Sequence, residues 1–170
     1  MSGSPQRTLV VGVVPAQPDA VVTHAASLAA QLGARLVCAT VDPGRYVVEE
    51  HPDGSVRSMT LDPDIAEGRE EGFDPELETR LRALLEPTGV AWEVRALAGD
   101  AARALAHLAD TLDSMMIVVG TREGGIRGSL HELFNGSVAV HLAHRQHRPV
   151  LVIPLAPVGL DAPLPWESGS

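Results

Sequence analysis

The chain has 170 residues, 45% of them hydrophobic, and a formal net charge of −9, which allows one domain with a substantial buried core and excludes the basic footprint that general nucleic-acid binding needs. The lone cysteine, Cys38, excludes a disulfide framework and a cysteine-based zinc site. The longest apolar stretches are short and broken by Pro or Gly, and Met1 to Gln6 is small and polar without a signal-peptide core, so no membrane contact and a cytoplasmic location are expected.

Thr8 to Val14 is nearly continuous aliphatic, as a parallel strand covered on both faces should be. Val22, Ala25, Ala26, Ala29 and Leu32 then recur at helical spacing, and Gly33 follows as a C-cap. Ala34 to Val41 is a second apolar strand, so the chain opens as a right-handed β-α-β unit. Asp42 to Phe73 is acidic and irregular. There Tyr46 to Val48 and Val56 to Met59 flank a Pro52-Asp53-Gly54 turn, which favours a small hairpin over a disordered surface loop. Asp74-Pro75 starts a helix with an acidic N-cap and Pro at the first helical position, and Leu77, Leu81, Leu84 and Leu85 form its apolar stripe. Val90 to Leu97 reads as a strand. A helix begins at Gly99-Asp100 and runs through Leu112, with Ala101, Leu105, Leu108 and Leu112 facing inward. Met115 to Val119 is a strand ending at Gly120, and a last helix after Gly136-Ser137 returns into the strand Val150 to Ile153.

Strands and helices in alternation predict a three-layer α/β sandwich on a five-stranded open parallel sheet. Ligands of such sheets bind beyond the carboxyl ends of the strands, where strand order reverses. The segments at those ends are Val14-Pro15, Val41-Asp42, Gly99-Asp100 and Gly120 onward.

Between Gly120 and Gly136 the chain is rich in glycine and carries Arg122 and Arg127. Glycines let backbone amides approach an anion, arginines fork onto phosphate oxygens, and a helix N-terminus presents unpaired N–H groups. Ser137 caps the final helix, and Ser129 with Glu132 forms a capping box inside the loop. Gly120 to Val150 holds Arg122, Arg127, Arg145 and Arg148 against Glu123 and Glu132, a local charge of +2 on a body of −11. That basic island favours a small anionic ligand.

His141, His144 and His147 recur every third residue on the last helix, with His131 nearby, but this spacing drifts around a helix and no carboxylate or thiol joins them. They read as a helix end favourable to cations rather than a metal site. Ser129 and His131 do not compose a nucleophile with a base, and no catalytic residue is assigned. Val150 to Ile153, if it lies at a sheet edge, needs covering, and pairing with its own copy across a two-fold axis would cover it. Leu155 to Trp166 either packs on a neighbour or frays.

Ile117-Val118-Val119-Gly120-Thr121-Arg122, then Gly136-Ser137-Val138-Ala139-Val140 and Arg148 to Pro154, with the Gly99-Asp100 helix start, resemble the universal stress protein family over about residues 7–154. The resemblance implies a Rossmann-like sheet of the adenine nucleotide alpha hydrolase-like kind and a homodimer paired through Val150, Leu151, Val152 and Ile153. It also implies a cytoplasmic stress-response role. Without a catalytic constellation that role is expected to be non-enzymatic, and residues 1–6 are expected to be disordered, 42–73 an insertion and 155–170 a C-terminal extension. Some members of the family bind ATP or another adenine nucleotide, and others bind none. The matching positions here are Val41, Gly120, Thr121, Arg122, Gly136, Ser137 and Val138. Nucleotide-binding members resemble Gly-x-x-Gly, nine residues, then Gly-Ser or Gly-Thr. Here Glu123 replaces the second glycine, twelve residues then precede Gly136, and Val14 stands where binders carry an Asp after the first strand. At about 4 Å, like charges repel by about 4 kcal/mol at an effective dielectric of about 20, so Glu123 opposes a polyphosphate. The expectation is a degenerate nucleotide site, with adenine-nucleotide binding as the alternative.

Overall fold

The computed structural model of the chain describes residues 6–62, 64, 72–121, 138–155, 157 and 159–161. The elements are β1 (Thr8–Gly12), α1 (Ala20–Leu32), β2 (Arg35–Asp42), β3 (Arg45–Glu50), β4 (Val56–Thr60), α2 (Pro75–Leu85), β5 (Trp92–Ala98), α3 (Ala101–Thr111), β6 (Met116–Gly120), α4 (Val138–Arg145) and β7 (Val150–Ile153). Five strands form one parallel sheet in the order β5-β2-β1-β6-β7, and β3 with β4 makes a separate antiparallel hairpin. The central strand sets the register: Leu9 lies opposite Leu36 on one side and Met116 on the other.

Each inner strand is apolar through its middle because both faces are buried there. Leu9, Val11, Leu36, Cys38 and Val118 point to the layer of α1 and α2, where they meet Ala25, Ala29, Leu81 and Leu85. Val10, Val37, Ala39, Ile117 and Val119 point the other way, onto Leu105, Leu108 and Ala109 of α3 and Leu142 of α4. The small residues of α1 let that helix lie close to the sheet, while the leucines of α2 and α3 supply bulk. Fully burying one such leucine stabilises the fold by about 1.5–3 kcal/mol. Cys38 sits within this core, and burial pushes its thiol up to about 12, so it packs as a small apolar group.

The local signals act as their chemistry requires. Gly33 ends α1 in the left-handed region at φ 61°, and its N–H donates to Ala29 and Ala30 carbonyls. Asp74 accepts the Glu76 and Leu77 N–H groups ahead of Pro75, and Asp100 accepts that of Arg103. Some boundaries differ from the sequence expectation. β1 ends at Gly12, because the Val13 N–H still reaches the Ala39 carbonyl but the chain then turns, with the Gln17 N–H on the Val14 carbonyl. In α3 it is Ala102 that is buried and Ala101 that is only half-buried, since the inward stripe starts one residue later.

The hairpin forms within the 42–73 segment as expected, with Tyr46 opposite Met59 and an irregularity between Val47 and Glu49. It lies in the α3 layer beside β5. Gly54 at its turn is buried with φ 80°, and a Cβ there would come 2.4 Å from Leu108 Cδ1. Arg95 of β5, whose side chain is only 13% exposed, donates from Nε and Nη2 to the Asp53 carbonyl. Among the described residues no helix is long and apolar enough to cross a membrane.

Candidate functional site

With the hairpin set aside, successive strands run outward from β1 to one side as β2 and β5, and to the other as β6 and β7. The order therefore reverses between β1 and β6, and the crevice beyond their carboxyl ends is the expected ligand position. The β1–α1 loop and the exit of β6 build its described part.

The loop is held from outside. Arg80 of α2 donates from Nη1 to the Pro15 carbonyl at 3.0 Å, from Nη2 to the Gln17 carbonyl at 2.6 Å, and from Nε to Asp19 Oδ1 at 2.7 Å. One guanidinium thus satisfies three acceptors of a five-residue turn, a use of its planar fork that a lysine could not reproduce. Between this loop and α2 remains a space of only about 10 Å³, room for one water at most. Val14 projects from the loop with 55% of its surface exposed.

At the exit of β6, Gly120 has no room for a side chain. A Cβ there would stand 2.7 Å from Gln17 Nε2, 2.8 Å from Leu155 Cδ1 and 2.9 Å from Val21 Cγ2. Its bareness is therefore explained by packing against α1 and Leu155. Thr121 is also engaged: its N–H donates to the Ile153 carbonyl at 2.8 Å, and its hydroxyl accepts the Leu155 N–H at 2.9 Å. These two bonds tie the end of β7 to the end of β6, so the first residue of the tail packs on its own chain, whereas Leu160 is fully exposed.

Gly120 and Thr121 thus meet Gln17 at the reversal point. Val41, paired with Leu97 at the carboxyl end of β2, and Val138, the first residue of α4, are half-buried on the α3/α4 side instead. Arg122, Gly136 and Ser137 lie outside the described residues, as do Glu123, Arg127, Ser129, His131 and Glu132. Val150 to Ile153 form β7 at the sheet edge, with Ile153 buried, Val150 and Leu151 half-buried and Val152 40% exposed.

Two of the four arginines of the basic island drawn from local charge, Arg145 and Arg148, lie away from the crevice. Arg148 precedes β7 at the amino ends of the strands, opposite to the crevice. Its Nε donates to the Ser114 carbonyl, and its other nitrogens face Asp110 at 3.2 Å and Asp113 at 3.4 Å. Arg145 ends α4, pointing the helix's basic turn away from its N-terminus. Sequence proximity had grouped these two with the loop, but the helix and its return carry them to the amino ends of the strands. Conversely, Arg80, more than sixty residues from the loop it clasps, left no local signal.

Chemically, the described side chains at the crevice are Val14, Gln17 and Thr121, with Asp19 already matched to Arg80. They offer an amide, a hydroxyl and an apolar surface. Among the described residues no three His, Cys, Asp or Glu side chains converge as a metal shell.

The chain belongs to the universal stress protein family, whose model matches residues 6–154. No curated protein matches it significantly. Among solved structures it resembles a universal stress protein in complex with cAMP, at 23% identity over 90% of this chain and 100% of the other, with a TM-score of 0.58. It also resembles one from Archaeoglobus fulgidus in complex with dAMP, at 20% identity over 88% and 99%, with a TM-score of 0.57. A family protein from Burkholderia pseudomallei aligns at 23% identity over 89% and 98%, with a TM-score of 0.51.

Proposed function

We propose that this universal stress protein family member is a non-catalytic stress-response protein with a degenerate nucleotide site, working as a homodimer paired through β7. The observation that carries this reading is Val14. It stands exposed where β1 delivers the chain to the crevice, without the carboxylate of nucleotide-binding members. An aliphatic group there can pack on a base or a sugar but cannot accept a hydrogen bond from one. The replacement of the second loop glycine by Glu123 and the longer spacing to Gly136 point the same way. In this reading residues 7–154 are the functional domain, 42–73 is an insertion and 155–170 is an extension. The lone buried thiol of Cys38 suits the reducing cytoplasm.

A second reading is an adenine-nucleotide-binding regulator. It is favoured by the two structural neighbours in complex with cAMP and dAMP, each carrying a single phosphate. A monophosphate needs fewer donors than ATP and places less charge near Glu123. Gly120, Thr121, Arg122, Gly136, Ser137, Val138 and Val41 would hold it.

The deciding experiment is the 260 nm absorbance of the purified protein with mass spectrometry of any released ligand, followed by titration with ATP and AMP. The degenerate-site reading expects no adenine ligand and no heat or fluorescence response at millimolar nucleotide. Stoichiometric nucleotide overturns it. Glu123→Gly is expected to strengthen ATP binding if that carboxylate is the obstacle.

A further inference from the structure

Away from the β1/β6 crevice, the hairpin, the carboxyl end of β5 and α3 enclose a cleft of about 330 Å³. Among the described residues its lining comes from the hairpin, β5 and α3 and from none of β1, the β1–α1 loop or β6, which sets it apart from Gln17 and Thr121 at the crevice. Its size is at the lower end of small-molecule pockets. The floor is apolar, made by Leu97, Leu108, Ala104 and Val56, of which the two leucines are buried in the core and the other two half-buried.

The charged groups around the mouth are not equivalent. Glu50 Oε2 lies 2.8 Å from His107 Nε2, which matches that carboxylate to an imidazole. The Asp100 carboxylate is occupied as the N-cap of α3. The hydroxyl of Ser55 donates to Asp53. What remains is cationic: the exposed Arg103 guanidinium has no hydrogen-bond or ion-pair partner among the described residues, while the exposed His51 ring interacts electrostatically with Asp53. Arg103 stands in the first turn of α3, where the helix dipole also favours negative charge. Among the described residues Glu50 is matched to His107 and Asp100 is held at the N-cap, whereas the guanidinium has no such partner.

We propose that this cleft binds a small organic anion with an apolar body, an aryl- or alkyl-carboxylate, whose carboxylate forks onto Arg103 while its body covers Leu97, Ala104 and Leu108. A guanidinium matches a carboxylate bidentately, and an apolar floor excludes the competing water. A purely inorganic anion would leave the floor unused, and a neutral apolar molecule would leave Arg103 unused. The pairing of floor and cation therefore defines the class. The hairpin supplies one wall, which gives the 42–73 insertion a binding role independent of the nucleotide question.

The test compares 3-phenylpropionate with 3-phenylpropanol on the full chain, by saturation-transfer NMR and calorimetry. The carboxylate is expected to bind about tenfold tighter than the alcohol, the factor a charge-assisted hydrogen bond supplies. Arg103→Gln, at an exposed position that leaves the fold intact, is expected to erase that difference. Ala104→Leu is expected to weaken both probes by filling the floor. AMP at millimolar concentration is expected to leave phenylpropionate binding unchanged. The proposal is overturned if neither probe binds, if the two bind equally, if Arg103→Gln keeps the preference, or if AMP displaces the carboxylate. If Ala104→Leu does not fold, the Arg103→Gln result alone decides.

Discussion

Along β5 the edge of the sheet runs beside the hairpin, whereas along β7 it ends in a row of short aliphatic residues with Val152 turned outward. On the β5 side the polar face is worked into a chain of charges: Arg35 pairs with Glu93, Glu93 with Arg95, and Arg95 reaches the hairpin turn at Asp53. The Gly54 turn then sits directly on Leu108. On the β7 side the described fastenings lie at its two ends, where Arg148 donates to the Ser114 carbonyl and Thr121 binds the Ile153 carbonyl and the Leu155 N–H. An unpaired edge templates further strands unless it is covered or charged. Among the described residues the hairpin lies beside β5, while the outer side of β7 is apolar.

The largest expected effect lies at the covered edge. Gly54→Ala places a Cβ 2.4 Å from Leu108 Cδ1 at a positive φ. Left-handed strain and overpacking together should cost about 2–4 kcal/mol. Denaturant unfolding would read this, and an unchanged midpoint would mean that the hairpin does not hold to α3. Arg95→Met should cost about 2 kcal/mol, because it removes charge-assisted bonds from a mostly buried guanidinium. At the open edge, Val152→Arg should leave monomer stability within about 0.5 kcal/mol, since the site is exposed. The same variant should shift the sizing-column elution from dimer to monomer; an unshifted peak would remove β7 from the interface. The smallest effect concerns Asp53, whose carboxyl is held below its ordinary value of 3.8 chiefly by the Ser55 hydroxyl. Its stabilisation is then complete above that ordinary value and fades as pH falls through the lowered folded one. Asp53→Asn should remove this small pH dependence, so that thermal melts of the two proteins differ at pH 6 and converge near pH 2.

Periodicity exposed the scaffold because each inner strand is apolar on both faces and each helix announces its ends through Asp74, Asp100 or Gly33. The hairpin was legible from Pro52-Asp53-Gly54, although its docking was not. The requirement for glycine at 54 comes from Leu108, a residue of α3 far along the chain. The crevice was legible in part. Gly120 and Thr121 do reach it, but what surrounds them is set by Gln17, Val21 and Leu155, which arrive from two other segments. Arg148 shows the limit most plainly. Charge counted along the chain placed it beside the loop, and its aspartate partners hold it at the far end of the sheet.

The central position of β1 has a consequence for biosynthesis. Its register pairs Leu9 with Leu36 almost as soon as both emerge, but with Met116 only after another eighty residues have been made. At about 5–20 residues per second, the β6-facing flank of β1 waits roughly 4–16 s on the ribosome with its backbone N–H and C=O groups unpaired by β6. A pause in translation before β6 would lengthen the interval in which the first β-α-β unit can pair with the wrong chain.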